Sequence, residues 1–312
     1  MADVETTPPA RERSESSRSR VPAVVWFLVG LAATMALLMG VGVWLARPAA
    51  PEASVPVPVA SPVTASPAPV ETAAQYPANT TAYEAGMLPE VNVFAVIPAL
   101  PVDDDPFGVV LPEQAVARGT GAPVWADPAG EPVAYLPREY LHDGTTVPVV
   151  QKQEHWVKVL LTGRQAVPSR GNPAQVTGWL RTADVELAPT DASVVVSLSA
   201  RTIDIVRGGV VERIATDFAS GTPDTPTPLG RTFIMTTAVV PEYGYTRGHP
   251  IVYWASQSPT LDGFGGADVA VSAFHYHDDR SGDISNGCLR VDADAIARLA
   301  ELPLGTPVSV NP

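Results

Sequence analysis

DVAVSAFHYHDDRSGDISNGCLR, residues 268–290, sets the chain's single cysteine a short loop after a pair of histidines. Its first half, rich in Val and aromatic residues, reads as a strand ending in His275 and His277. The polar run from His277 to Asp283 reads as a turn, and Ser285-Asn286-Gly287-Cys288-Leu289-Arg290 follows it. A thiol needs a base to become a nucleophilic thiolate near neutral pH, and imidazole has a suitable pKa. All five histidines precede Cys288, and only His275 and His277 lie near it in sequence. Glycine beside the thiol permits close substrate approach, and successive backbone N–H groups around Gly287 and Cys288 can supply an oxyanion hole.

The flanks extend the pattern. Downstream, Asp292 is placed to cap a helix whose apolar face is Ala295, Ile296, Leu299 and Leu302, with Pro303 ending it. Gly305–Val310 would close the fold as a strand. Upstream, VVVSLSARTIDIVRGGVVERI reads as two strands joined at Arg207-Gly208-Gly209, a hairpin signal. RTFIMTTAVV and HPIVYWAS read as further strands, after a turn-rich Pro226-Thr227-Pro228-Leu229-Gly230. Residues 192–312 are therefore expected to form a β-rich domain with one C-terminal helix.

Residues 112–188 show short β-runs between turn signals, such as the turn at Asp127-Pro128-Ala129-Gly130. The preceding segment, 47–111, begins as a Pro/Ala-rich spacer and becomes an irregular lead-in that Pro89, Pro98, Pro101 and the Asp103–Asp105 cluster break up. Residues 23–46 run without a charge, and at ~1.5 Å per residue that length suffices for a hydrocarbon core of ~30 Å. A cleaved signal peptide has a shorter apolar run of ~7–15 residues. The reading is an uncleaved transmembrane helix, with four arginines in the polar tail 1–22 keeping the N-terminus cytoplasmic and the remainder outside, facing the cell wall. The net charge of −13 argues against nucleic acid as a partner. One cysteine excludes an intrachain disulfide. In an exported chain a lone thiol directs attention to its reactivity.

Several elements recur together in one family. An upstream Thr-Pro-x-Gly (Thr227–Gly230), a histidine on a strand (His275 or His277), Ser-x-Gly-Cys-x-Arg (Ser285–Arg290), a helix after Asp292 and a terminal Gly-Thr-Pro-Val (Gly305–Val308) appear in that order. Residues 193–310 thereby resemble the L,D-transpeptidase (YkuD-like) catalytic domain. Residues 112–188 resemble a bacterial SH3-like domain through the "APVWADPAGEPVAYLP", "HWVKV" and "GWL" pieces. The resemblance implies a β-sandwich catalytic domain with one helix, after a small SH3-like β-barrel. It also implies Cys288 as nucleophile, an upstream histidine as base, and Ser285, Asn286, Gly287 and Arg290 holding the oxyanion or positioning substrate. The implied substrates are peptidoglycan stem peptides, joined in 3→3 cross-links through a cysteine thioester, with carbapenem-type inhibitors as acylating agents. No metal or other cofactor is implied.

Asn286 stands where the family commonly has histidine, and the loop from the histidines to Ser285 is short. His275 is placed first as the base because it sits among apolar and aromatic neighbours; His277, beside Asp278, is the second choice. Tyr243, Tyr245, His249 and Trp254 read first as packing residues, with a role lining a peptide groove as the alternative. Asp278, Asp279 and Asp283 read as a polar turn, since they lack metal-ligand spacing. His142 and His155 read as surface or packing residues. A rival class is a degenerate, non-catalytic wall-binding protein. Sortase-like and papain-like cysteine enzymes are disfavoured: the first lacks its Thr-Leu-x-Thr-Cys signature here, and the second needs a histidine after the cysteine.

Overall fold

Short runs rich in Val, Ile and aromatic residues, bounded by turn residues, dominate the chain from residue 113 onward and become its strands. The structure, a computed structural model, describes residues 75–312. The apolar run 23–46, with the tail and spacer around it, lies outside the described residues. Among the described residues no helix is long and apolar enough to cross a membrane.

The first layer is antiparallel throughout. It comprises β1 (Glu113–Ala117), β2 (Gly121–Trp125), β3 (Pro132–Pro137), β4 (Thr146–Lys152), β5 (Trp156–Leu161), β6 (Val176–Arg181) and β7 (Val185–Pro189). These strands lie in the order β3-β2-β6-β5-β4-β1-β7. Ala115, Val124, Leu136, Val149, Val159 and Leu180 point into its core. The turn at Asp127 forms as its sequence dictates: Gly130 N–H donates to Asp127 O, and Ala129 N–H to the Asp127 carboxylate.

The lead-in packs on this sheet. Val91, Ile97 and Leu100 enter its core, and isolated bridges tie Glu90 to Tyr135, Val96 to Arg164 and Val102 to Val176. Residues 76–83 cross the cluster of Trp125, Trp156 and Trp179. Trp156 Nε1–H donates to Pro77 O at 2.9 Å, while Tyr76 and Tyr83 meet Trp179 and Trp125 edge-on. From the acidic cluster, Asp103 makes a bidentate pair with Arg231, both contacts 2.8 Å.

The second layer starts with β8 (Ala192–Ser197), β9 (Thr202–Arg207) and β10 (Val210–Ala215). Gly208 and Gly209 have φ of +54° and +83°, the left-handed pair that a two-residue hairpin turn requires. Three strands stand where the sequence suggested two. The missed turn, Leu198–Arg201, has no Gly or Pro; Arg201 takes φ +56° and its guanidinium is tied to Phe218 O and the Asp283 carboxylate. A long-range tether thus supplies what no local turn signal announced.

The remaining strands are β11 (Ala219–Gly221), β12 (Gly230–Ala238), β13 (Ile251–Gln257), β14 (Val271–Tyr276), β15 (Gly282–Ser285), β16 (Leu289–Val291) and β17 (Pro307–Asn311). Their order is β10-β9-β8-β17-β12-β13-β14-β16-β11-β15. Strand β12 links the two halves, pairing through residues 230–233 with β17 and through 234–238 with β13. Helix α1 (Ala293–Ala300) packs on this layer. Asp292 accepts from Ala295 N–H at 2.8 Å, and Ala295, Ile296 and Leu299 are buried against β10, β13 and β14. The two layers share a core, because Phe233 and Ala255 of the second pack into the first.

Candidate active site

Strand alternation places the site. In β14, Phe274 faces the core, where it meets Trp254 edge-on, so His275 must face the other way. Strand β16 runs parallel beside it, pairing Phe274 with Leu289 and His275 with Arg290. Leu289 is buried in the same core as Phe274. Cys288 and Arg290, its neighbours in sequence, therefore share the face that carries His275. His277 follows at the strand end. All four line one cavity of about 180 Å³, with Tyr245, Leu261, Phe264, Ala270, Val271, Ser285 and Asn286.

The turn before Cys288 is held by its own side chain. Ser285 Oγ–H donates to Cys288 O at 2.6 Å and accepts from Gly287 N–H at 3.1 Å. This engages the Gly287 amide, which the sequence had suggested for the oxyanion, and it makes Ser285 the brace of the turn. Gly287 has φ +108°, and a Cβ there would lie 3.3 Å from Pro226 O. Only glycine takes this path without strain. The stretch just before the Thr-Pro-x-Gly element braces the same turn: Thr222 N–H and Thr225 Oγ1–H both donate to Ser285 O, while Thr227 Oγ1 accepts from Gly221 N–H.

The two histidines differ in what their ring nitrogens do. His275 Nδ1 lies 2.9 Å from Tyr276 O, and because a carbonyl only accepts, Nδ1 carries the proton. Its Nε2 is left with a lone pair. His277 Nδ1 accepts from Asp279 N–H at 2.9 Å, so the neutral His277 ring keeps its proton on Nε2. His275 is 7% exposed. Its burial lowers its pKa to about 4, with the nearby Arg290 and His277 charges acting in the same direction. Burial also pushes the Cys288 thiol up, while the Ala273 backbone and the Arg290 charge pull the other way. Some area of Cys288 still reaches solvent, but the atoms packed around the sulfur control its ionisation. The resting pair is therefore neutral thiol and neutral imidazole.

Tyr245 covers the histidines, its ring centre 5.2 Å from His275 and 5.6 Å from His277, with Tyr243 stacked outside it. Burial pushes the Tyr245 phenol up to about 12, which keeps it protonated. Of the aromatic residues considered from sequence, Tyr245 belongs to the cavity. Trp254 is fully buried core, and His249 packs on Tyr276. Arg290 has no carboxylate partner among the described residues; it reaches only Asp279 O, and its Nε is buried without a partner. Asp278 pairs with Arg247, and Asp283 with Arg201. Leu261 and Phe264 were missed. Their one signal is an apolar pair embedded in a glycine-rich loop, with Phe264 56% exposed.

A comparison with curated proteins found no match. Among solved structures, an L,D-transpeptidase from Mycobacterium smegmatis overlaps 51% of this chain and 91% of its own, at 15% identity and TM-score 0.29. One from Mycobacterium tuberculosis H37Rv overlaps 51% and 91%, at 17% identity and TM-score 0.30. The LD transpeptidase LdtMt1 in complex with imipenem overlaps 50% and 91%, at 17% identity and TM-score 0.31. These overlaps are low in both measures, and the domain assignment rests on the family match alone. Residues 191–310, the segment carrying His275, Cys288 and Arg290, match the family YkuD, described as the L,D-transpeptidase catalytic domain.

Proposed function

We propose that the protein is a peptidoglycan L,D-transpeptidase working through a thioester on Cys288. The observation that carries this reading is the shared face of β14 and β16, where an imidazole with an open Nε2 and the thiol line one cavity beside a guanidinium that has no carboxylate partner among the described residues. The acyl donor is a tetrapeptide stem. Cys288 Sγ passes its proton to His275 Nε2 and attacks the carbonyl of the third residue. The S–C bond forms, the C–N bond to the terminal D-alanine breaks, and the leaving amine takes the proton from His275. A side-chain amine on a second stem then attacks the thioester, gives a proton to His275 and releases the thiolate, which recovers it. The product is a 3→3 cross-link. Since Gly287 N–H is engaged, the Cys288 and Asn286 amides are the candidates for the oxyanion, and Arg290 holds a substrate carboxylate or carbonyl.

A base of pKa near 4 does not ionise a thiol at rest, so proton transfer is coupled to attack, when the developing oxyanion offsets the charge on imidazole. The same reading includes the 23–46 membrane anchor, the catalytic domain outside the cell, and residues 112–188 as an SH3-like module that spaces the catalytic domain from the membrane. Intact-protein mass spectrometry of the full chain with a carbapenem, and with a tetrapeptide stem, tests it. A covalent adduct and D-alanine release, both lost in Cys288→Ala, are expected. A folded wild-type chain that stays unmodified and releases no D-alanine would return the reading to a non-catalytic wall-binding protein.

A further inference from the structure

Leu261, Phe264 and Ala270 of the cavity lining belong to a loop, residues 258–270, whose base closes through Ser258 N–H to Ala270 O. Gly263, Gly265 and Gly266 deprive it of stiffness of its own. Its order comes from outside the catalytic domain. Arg164, at the end of β5's following turn, is 1% exposed, and its Nη2 donates to both Asp262 O at 2.5 Å and Asp268 O at 2.8 Å. One nitrogen thereby bridges the two ends of the loop tip. Ser169 adds its N–H and Oγ–H to the Asp262 carboxylate, at 2.8 and 2.6 Å. Gln257 Nε2–H reaches back to Val93 O of the lead-in, and Gln257 Oε1 accepts from Ala270 N–H. On the far side, Thr260 Oγ1–H donates to Asp224 O, in the turn that buttresses Ser285.

Arg164 is itself held rigidly. Its backbone exchanges bonds with Ala95 and Ile97, and at Gly163, with φ +83°, a Cβ would meet Ala95 O and Asn92 O at 2.9 Å. Burying a guanidinium is costly, and here Nη2 serves two loop carbonyls while Nη1 is buried without a partner among the described residues. A residue kept only to hold the two layers together would do as well with an apolar contact.

We propose that Arg164 and Ser169 are positioning residues for substrate: the upstream β-module clamps loop 258–270 so that Leu261 and Phe264 form the wall against which the stem peptide lies. This deepens the proposed transpeptidase reading and depends on it for the identity of the substrate. The module is then part of the catalytic architecture as well as a spacer, and residues 191–310 separated from it carry a loosened wall.

The test compares wild type with Arg164→Met, which keeps an apolar stem and removes the donors, and with the milder Ser169→Ala, all in the full chain. Three readings are taken: hydrogen exchange of amides 261–269, alkylation of Cys288 by iodoacetamide, and KM and kcat for D-alanine release from a tetrapeptide. The expected result is faster exchange confined to 261–269, alkylation within about twofold of wild type, and KM raised ~10-fold or more with kcat changed less, since small misplacement of a substrate wall has effects of that size. Unchanged exchange in Arg164→Met would overturn the clamp. Faster exchange with unchanged KM would overturn the role in substrate positioning, as would alkylation falling in step with D-alanine release. If wild type releases no D-alanine, the transpeptidase reading fails while the exchange comparison still decides the clamp.

Discussion

At the scale of single residues, the proposed chemistry turns on two protons. His275 keeps one on Nδ1 against Tyr276 O and offers Nε2, whereas His277 has spent its Nδ1 lone pair on Asp279 N–H. His275→Ala should therefore lower the rate of Cys288 acylation by a stem peptide ~100-fold or more, a size usual for loss of a general base, and His277→Ala far less. If only His277→Ala abolished the reaction, the assignment would be reversed. Burial raises the thiol, so alkylation of Cys288 by iodoacetamide should keep rising as pH passes 9 and show no plateau near neutrality. His275 also carries a stability signature. Its folded pKa, about 4, lies below the unfolded value of 6.5, so the unfolded chain binds the extra proton between these limits. Stability is complete above about pH 6.5 and falls as pH drops toward 4, by roughly 3 kcal/mol for a shift of this size. Urea unfolding at pH 7 and pH 4.5 should show a smaller difference in His275→Ala than in wild type.

At the scale of elements, Cys288, the proposed nucleophile, sits between a braced turn and a capped helix that start within a few residues of each other. Ser285→Ala removes one acceptor and one donor from the turn without adding bulk. It should slow stem-peptide acylation while leaving thermal unfolding within a few degrees of wild type. Gly287→Ala should do more, because φ +108° is strained for any residue with a Cβ and Pro226 O stands 3.3 Å from where that atom would lie. The cap on α1 is a separate quantity: Asp292→Ala should cost ~1 kcal/mol in urea unfolding. These elements were readable in advance for physical reasons. A cap, a two-glycine hairpin and a Gly-Cys turn are local, and their residue types follow from backbone geometry. The turn at Leu198–Arg201 was not readable, because the long-range ties of Arg201 to Phe218 O and Asp283 hold it.

At the scale of the whole described body, the lead-in decides how the layers meet. Asp103 and Arg231 are 1% and 5% exposed at their side chains and bind each other bidentately. Removing one partner leaves the other charged and buried. Asp103→Asn or Arg231→Met alone should therefore destabilise by ~3–5 kcal/mol, and the double variant should lose less than the sum of the two. Thermal or urea unfolding of the four proteins checks it; strict additivity would show that the pair does not couple. From the sequence, Asp103–Asp105 registered only as a break in a possible strand. Its partner lies far along the chain, and nothing in the local pattern names it.

The sequence by itself determined the β-rich character, the C-terminal helix with its cap, the hairpin at Gly208-Gly209 and Cys288 with Gly287 and the nearby His275 and His277; Ser285, Asn286 and Arg290 joined the candidates through the family resemblance. The elements depend on the period of a strand or helix or on a residue type that one backbone shape demands, and the thiol and imidazoles on their own chemistry. Tertiary structure alone decided which histidine has an open nitrogen, that Gly287 N–H is engaged, that Tyr245 covers the site while Trp254 does not, and that Arg164 holds the loop bearing Leu261 and Phe264. These are matters of hydrogen-bond partnership and burial between segments far apart in the chain. Side-chain identity limits what a group can donate or accept; only the fold chooses the partner.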